Sequence, residues 1–409
     1  MTAKVDLPFG TVLCEVGDLS ASPLFLREVD MRRVVPDQPE QAAVQQLQST
    51  KSTLITKEGK LSFHAVSSLF ILSLLGEGEE SGASGMGNLT TYSAWTDIMP
   101  HFVRHPWLWN RDALETLKGT SIHATGVENQ ARLAREVDEL QSILGIAMDS
   151  TAWAWADSVK SGRFFPIDQK TREFALSPLK ELFTYGADAN VVIDEDEEGS
   201  LRLVVVADEI AAGQPLILND GNMSSADLLQ AYGFALANNR ANDISVGVAL
   251  DRDDRLFGAK RDLLESAGLG SSGQVVVRCN ATHILPTELL TALRIYHLTV
   301  YDWEERNAVL ENKPVSLQNE RDALTSLAQY AEASLEGFGG SERGDKERLA
   351  SADGAADTET RIGLSIRLSE RRLFKRLFEQ CARGLEWVQS KWDNRGVDYV
   401  DMDTGKVMI

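Results

Sequence analysis

Apolar positions change their spacing several times along this chain. "GTVLCEVGDL" alternates apolar and polar residues after a Gly turn, which predicts a half-buried strand. Residues 61–75 are predicted helical. The surrounding "FHAVSSLFILSLLG" is too short, and too interrupted by serine, to span a bilayer, so it reads as a buried helix. "GEGEESGASGMGN" predicts a flexible surface loop. From Trp95 to about Arg163 the pattern is helical. "NQARLAREVDELQSILGIAM" repeats apolar residues at three and four spacing, and "TAWAWADSVKSGRFF" continues as a helix that stops near Gly162.

From Phe174 the period changes. "ANVVIDEDEEGSLRLVVVADEI" predicts a hairpin around an acidic Gly turn, and "AAGQPLILND" a further turn and strand. "SSADLLQAYGFAL" predicts a short helix capped by Ser224 or Ser225, and "DISVGVAL" another strand. Beyond about residue 251 the chain reads as mostly helical, with a loop "GGSERGDKERLASADGAADT" between the last two helices. No short-period repeat is visible. The class is α+β. A β-rich domain over 1–248, with a helical insertion at about 60–165, is followed by an all-α domain over 249–409.

With 409 residues, more than one core or a large insertion is expected. The net charge of −20 disfavours direct binding to nucleic acid or anionic lipid. It suits a basic protein partner or simply solubility. Cys14, Cys279 and Cys381 lie far apart and form no CxxC pair, so neither a disulfide framework nor a thiolate zinc site is expected, and a reducing compartment is. "MTAKVDLPFGTVLCEV" has neither a signal-peptide h-region nor transit character.

No P-loop, GxSxG, HExxH or GxGxxG after a strand occurs. His101 and His105 stand four apart, a spacing that suits a metal pair on a helix. Pro100 and Pro106 bracket them, and the plain alternative is a surface loop. His64, His123, His283 and His297 sit in amphipathic patterns and read as packed or surface residues. "DEDEEG" lacks calcium-loop spacing and reads as a solvated turn.

One resemblance spans nearly the whole chain. "IAAGQPLILNDGNMSSADLLQAYGFALANN" is similar to the end of a SET domain of the lysine methyltransferases that resemble the Rubisco large-subunit methyltransferase (LSMT). "GTVLCEV", "YSAWTDIMPHFVRHPWLWNRDALETLKGTSI", "VKSGRFF" and "LSPLKELFTYGADANVVID" resemble earlier segments of that family, in the right order. "ELLTALRIYHL", "PVSLQNERDALTSLAQYAEASL" and "RLSERRLFKRLFEQC" resemble its helical substrate-binding domain. Ser316, Asn319 and Glu320 match a Ser-x-x-Asn-Glu element there.

The resemblance implies S-adenosylmethionine as cofactor and a protein lysine as substrate, entering by a narrow channel. The amine must be deprotonated to attack the methyl group, and in-line placement supplies much of the rate. The chemical positions depart from the family. Its early Gly-x-Gly would precede Ala3, where the sequence starts at Met1. Its Asn-His pair falls on Thr184 and Tyr185. The Arg of its Ser-Arg-x-Phe step falls on Gly162, with Arg163 one place on. Its catalytic Tyr falls on Asp220, whose ionised carboxylate would favour the non-nucleophilic ammonium.

Arg163, Thr184 and Tyr185 are therefore the cofactor candidates, and Tyr232 and Asp220 the catalytic ones; no metal is expected. Tyr232 is the aromatic hydroxyl left to line a lysine channel, or else a core tyrosine. Trp153, Trp155 and Phe164 read as helix-packing aromatics. Two readings follow: a SET-like protein-binding or scaffold subunit with weakened or lost catalysis, or an active protein-lysine N-methyltransferase with divergent site residues. A monomer is expected, and the compartment stays open.

Overall fold

The computed structural model describes residues 2–16, 26–27, 47, 52–56, 59–75, 99–145, 147–161, 164–168, 173–176, 183–186, 188–195, 201–219, 221, 223–236, 238–352 and 357–393. Two compact units emerge: Met1–Leu114 with Ala124–Asn239, and Glu115–His123 with Arg240–Ile409.

The first unit is built on short strands. β1 (Leu7–Pro8) pairs with β9 (Glu209–Ile210). β3 (Leu26–Arg27), β5 (Glu173–Leu176) and β4 (Phe164–Asp168) form an antiparallel sheet in that order. The largest sheet runs β2 (Val12–Val16), β8 (Leu201–Val205), β7 (Val191–Glu195), β10 (Ile217–Leu218), β6 (Thr184–Tyr185).

The expected hairpin is present as β7–β8, antiparallel in register Val191↔Val205. Its turn, residues 196–200, lies outside the described residues. Alternation along the strands buries Val191, Leu203 and Val205 against Ala3, Ile210, Leu216 and Leu218. β10 runs parallel to both neighbours, with Ile217↔Thr184 on one side and Leu218↔Val191 on the other.

The insertion packs α1 (Phe63–Leu75), α3 (Ser121–Leu144) and α4 (Ser150–Lys160), with α2 (Arg111–Glu115) between the first two in sequence. Phe70, Ile71, Leu140, Ile143 and Trp153 are its apolar centre. The segment expected to be helical from Trp95 is instead interrupted. Residues 99–105 are extended or bent, and only Pro106–Leu108 form a 3-10 turn before α2. Pro100 and Pro106 explain this, since each removes a backbone donor.

At the middle of these helices lies a buried ionic network. Glu136 is 1% exposed and Asp157 5%. Glu136 accepts from Arg132, Thr53 Oγ1 (2.6 Å), Trp153 Nε1 (2.9 Å) and His64 Nε2 (3.0 Å). Asp157 accepts from Arg132 (2.8 Å) and pairs with Lys160 (2.9 Å). Lys160 Nζ also donates to His64 Nδ1, the His64 carbonyl and Ser68 Oγ. Two cations face two carboxylates with every acceptor served, the condition under which burying charge is tolerable. Burial alone would raise both carboxyls. For Asp157, Lys160 and Arg132 overcome that; for Glu136, the His64 hydrogen bond, Thr53 and Arg132 do. Both end below the usual carboxylate range.

α5 (Ser225–Tyr232) closes the first unit. Ser224 is its N-cap, accepting from the Asp227 amide at 3.1 Å, and Gly233 ends it in the left-handed region at φ 77°. A Cβ on Gly233 would stand 2.8 Å from the Arg104 amide nitrogen, so both conformation and space require glycine.

The second unit is helical around one two-stranded ribbon. β11 (Asp243–Ala249) pairs antiparallel with β12 (Gln274–Asn280). The sequence reading set apart the first strand but merged the second into a helical region. The Val275–Val277 run after Gly273 carried the missing signal, since β-branched residues favour a pleated, half-buried surface.

α6 (Phe257–Ser266), α7 (Thr287–Tyr296), α8 (Leu317–Gly337), α9 (Glu342–Ser351) and α10 (Thr358–Asp393) surround the ribbon. Leu289, Ile295, Leu327, Phe338 and Leu377 are buried there. Trp303–Glu311 is a 3-10 helix rather than a continuation of α7.

α9 corrects the loop expected between the last long helices. Ser341 caps it through the Gly344 amide. Glu342–Lys346 and Arg343–Glu347 pair at i, i+4. Asp345 is buried against Arg367 at 2.8 Å. The Ser-x-x-Asn-Glu element also has a physical role. Ser316 caps α8 and donates to Asp302, Asn319 donates to the Arg294 carbonyl, and Glu320 forms a bidentate pair with Arg294 at 2.6 and 2.7 Å. Cys279 and Cys381 are buried, and burial pushes their thiols up to about 12 and about 11.

Two outcomes follow. Because Glu136 and Asp157 titrate below their ordinary values in the fold, their contribution is complete above about pH 4 and is lost as pH falls through the depressed values. The urea midpoint should therefore fall below about pH 4, and Asp157→Asn should make that fall shallower while costing about 3 kcal/mol at neutral pH. Gly233→Ala should cost about 3 kcal/mol by denaturant unfolding, from strain and the clash with Arg104.

Candidate functional site

The parallel pairing of β10 with β6 places Tyr185 beside Leu218, next to Asn219 and Gly221. Backbone bonds fix the register: Thr184 N–H donates to Leu216 O at 3.0 Å and Gly186 N–H to Leu218 O at 3.3 Å. Asn190 holds the other side. Its side-chain oxygen accepts from the Ile217 amide at 2.7 Å and its amide donates to Pro215 O at 2.9 Å. The Tyr185 hydroxyl lies 3.0 Å from Gly221 O and 3.2 Å from Asn219 Oδ1. With one proton to donate, it favours the shorter contact. Further along, Asn239 donates to Met223 O at 2.8 Å, tying the segment after α5 back to the start of that helix.

Three half-buried rings meet here. Tyr185 lies 6.1 Å from Tyr232 and 5.5 Å from Phe234, and Tyr232 lies 6.0 Å from Phe234. The planes are tilted by 39°, 60° and 29°, so the rings form a triangle rather than a stack. Ring faces attract cations within about 6 Å, most of all where water is excluded.

Of the five candidates, Thr184, Tyr185 and Tyr232 are described. The structure brings Tyr185 and Tyr232 together, and leaves the Thr184 side chain exposed on β6. Arg163 and Asp220, with Gly162, lie outside the described residues. Asp220 is flanked in sequence by the two residues that Tyr185 touches. Tyr232 is half-buried and packed among these rings.

Trp153 is fully buried and Trp155 donates to Pro100 O at 3.1 Å, so both are packing residues. The Phe164 side chain lies outside the description. Sequence reasoning did not single out Asn190, Asn219 or Asn239. Their signal was type and place: asparagine at a strand boundary or turn tends to bond local backbone.

The histidine pair divides. His101 is exposed, whereas His105 is fully buried and stacked on Trp107 at 4.4 Å, correcting its reading as a surface-loop residue. Among the described residues no group of three or more His, Cys, Asp or Glu is arranged to hold a metal ion. No helix among them is long and apolar enough to cross a membrane.

Comparison with known proteins agrees with this architecture. Residues 251–374 match the family model "Rubisco LSMT substrate-binding". The chain is 24% identical over 317 residues to the chloroplastic [fructose-bisphosphate aldolase]-lysine N-methyltransferase of Arabidopsis thaliana, covering 70% of this chain and 64% of that protein. It is 21% identical to the chloroplastic ribulose-1,5 bisphosphate carboxylase/oxygenase large subunit N-methyltransferase of Nicotiana tabacum, covering 69% and 62%.

It is also 23% identical to the actin-histidine N-methyltransferase of Homo sapiens, covering 59% and 42%. The chain thus spans less than two thirds of the length of these relatives. The crystal structure of the SET domain of LSMT bound to lysine and AdoHcy superimposes with a TM-score of 0.69 at 17% identity, covering 98% of this chain and 90% of that one. The structure of Rubisco LSMT bound to AdoMet superimposes with a TM-score of 0.67 at the same identity and coverage.

The homologues are SET-type protein methyltransferases, and the α+β class expected from the sequence is that of their fold. Residues 251–374 match the Rubisco LSMT substrate-binding family model, and the chain as a whole shares the fold of the LSMT SET-domain structures.

Proposed function

We propose that this chain is a protein-binding member of the SET fold, in which methyl transfer is weakened or lost and the three-ring site receives a lysine side chain of a protein partner. The observation that carries this reading is the commitment of Tyr185. It stands where the resemblance places the histidine of an Asn-His pair, and its hydroxyl meets Gly221 O and Asn219 Oδ1. Thr184 offers one hydroxyl on an exposed side chain in place of an amide that both donates and accepts. These two residues do not fit the S-adenosylmethionine contacts that the resemblance assigns to them, so no chemical step is derived through that cofactor.

The ring triangle supports the lysine part of the proposal. Tyr185, Tyr232 and Phe234 present apolar flanks for an aliphatic stem and π faces for its cationic end. In sequence, Asp220 places a carboxylate beside Asn219 and Gly221. A carboxylate holds a neighbouring lysine as ammonium, which suits binding and opposes nucleophilic attack.

A second reading is an active S-adenosylmethionine-dependent protein-lysine N-methyltransferase with divergent site residues. It is favoured by the chain-wide match to structures holding AdoMet or AdoHcy.

Calorimetric titration with S-adenosylmethionine separates them. The first reading expects millimolar or absent binding and no methyl transfer to a protein extract. Micromolar binding would overturn it, all the more if Asp220→Tyr then raised transfer. Tyr185→Phe should lower stability by about 1 kcal/mol, because a backbone acceptor in the turn loses its donor, and thermal unfolding reads this directly. A wild-type midpoint in that variant would show that the hydroxyl is free to serve a ligand.

A further inference from the structure

The second unit contains a cleft that nothing above uses. It has a volume of about 200 Å³ and is walled by residues after α6, the first turn of α7 and the end of the Trp303–Glu311 3-10 helix. Its apolar lining is Ala267, Leu269, Val309 and Leu310, and its polar lining Thr287, Glu288, Thr291 and Asn312. Val309 is fully buried, while Leu310 is 43% exposed at this surface.

The polar wall is held rigidly from behind. Asn312 is the one non-glycine among the described residues with positive φ, at 57°. Two hydrogen bonds keep it there: the buried Thr291 hydroxyl donates to its Oδ1 at 3.1 Å and Arg294 Nη1 donates to its carbonyl at 3.2 Å, with Arg294 itself fixed by the bidentate Glu320 pair. A wall ordered before any ligand arrives lowers the entropic cost of binding.

We infer that this cleft docks the side chain of a lysine or arginine from a protein partner, its aliphatic stem lying on Leu269, Val309 and Leu310 and its charged head meeting Glu288. Charge decides the occupant. Glu288 is exposed and its carboxylate has no ion-pair partner among the described residues, whereas the neighbouring Arg294 is paired with Glu320. An anionic group would meet the Glu288 carboxylate, and the net charge of −20 steers basic segments toward the chain. A purely apolar side chain would cover Leu269, Val309 and Leu310 but gain nothing from the Glu288 carboxylate at the rim. The cleft lies inside the matched substrate-binding segment, so the inference rests on the protein-binding reading and adds an anchor point remote in sequence from the ring site.

The test uses the full chain with labelled Leu and Val methyl groups, titrated with n-butylguanidinium, n-pentylammonium and the neutral isostere n-butylurea. The expected result is a shift confined to Leu269, Val309 and Leu310 with either cation, and about tenfold weaker binding of n-butylurea. The ratio of the two cations tells arginine from lysine.

Glu288→Gln should remove the preference for charge, and Ala267→Leu should fill the cleft and abolish the shifts. Unchanged methyl spectra elsewhere show that each variant is folded. No shift at those three residues, equal binding of n-butylurea, or an unaltered preference in Glu288→Gln would overturn the inference. These titrations contain no S-adenosylmethionine, so their failure leaves the calorimetric test of the first reading untouched, and the reverse holds.

Discussion

Two residues, Ile217 and Leu218, lying parallel between β6 and β7 are the constraint on which the site depends. Parallel neighbours cannot be joined by a tight hairpin, so a long stretch of chain must return to insert this strand. So short a strand makes few ladder bonds of its own. Asn190 supplies the rest, using its side chain on Pro215 and Ile217 and its backbone amide on Ile217 O. Once the strand is seated, the turn after it must pass Tyr185, and α5 must start where Tyr232 and Phe234 reach the same ring. A slip of one residue would carry Leu218 out of the core and separate the rings.

Buried charge recurs as the means by which the helices are held. Arg132, Lys160, Glu136 and Asp157 join α1, α3 and α4 through His64 and Ser68. Arg294 with Glu320 joins α7 to α8, and Arg367 with Asp345 joins α10 to α9. In each case carboxylate and cation are both withdrawn from water, so the pair is weak as net stabilisation and strong as a demand for one geometry. The same device that fixes Arg294 also fixes the Asn312 wall of the cleft, so one ion pair orders both a helix junction and that wall.

The two proposals, the lysine at the three rings and the cationic side chain in the cleft, rest on different physics. The rings offer π faces to a cation, and the cleft offers an apolar floor with a carboxylate at its rim.

Local pattern reached the β7–β8 hairpin, α1, α5 and the helical stretch of α3 and α4, because spacing, caps and turns are local properties, whereas the break between Leu144 and Ser150 and the choice of Ser224 over Ser225 as cap came only with the structure. The resemblance of ordered motifs reached the fold, since those motifs mark packing positions such as Ser316, Asn319 and Glu320. β12 and α9 escaped for opposite reasons. The valines of β12 were visible but were read against a helical background, whereas α9 has almost no apolar face and depends on Asp345 finding Arg367.

The site was legible as residue types, not as roles. Tyr185 reads in sequence as a replaced histidine, and only the pairing of β6 with β10 decides that its hydroxyl meets Asn219 and Gly221. His105 likewise reads as a loop residue, and only packing buries it on Trp107. Local pattern specifies which elements form. Which side chains meet is decided by strand order and register, and these are set by contacts between residues far apart in the chain.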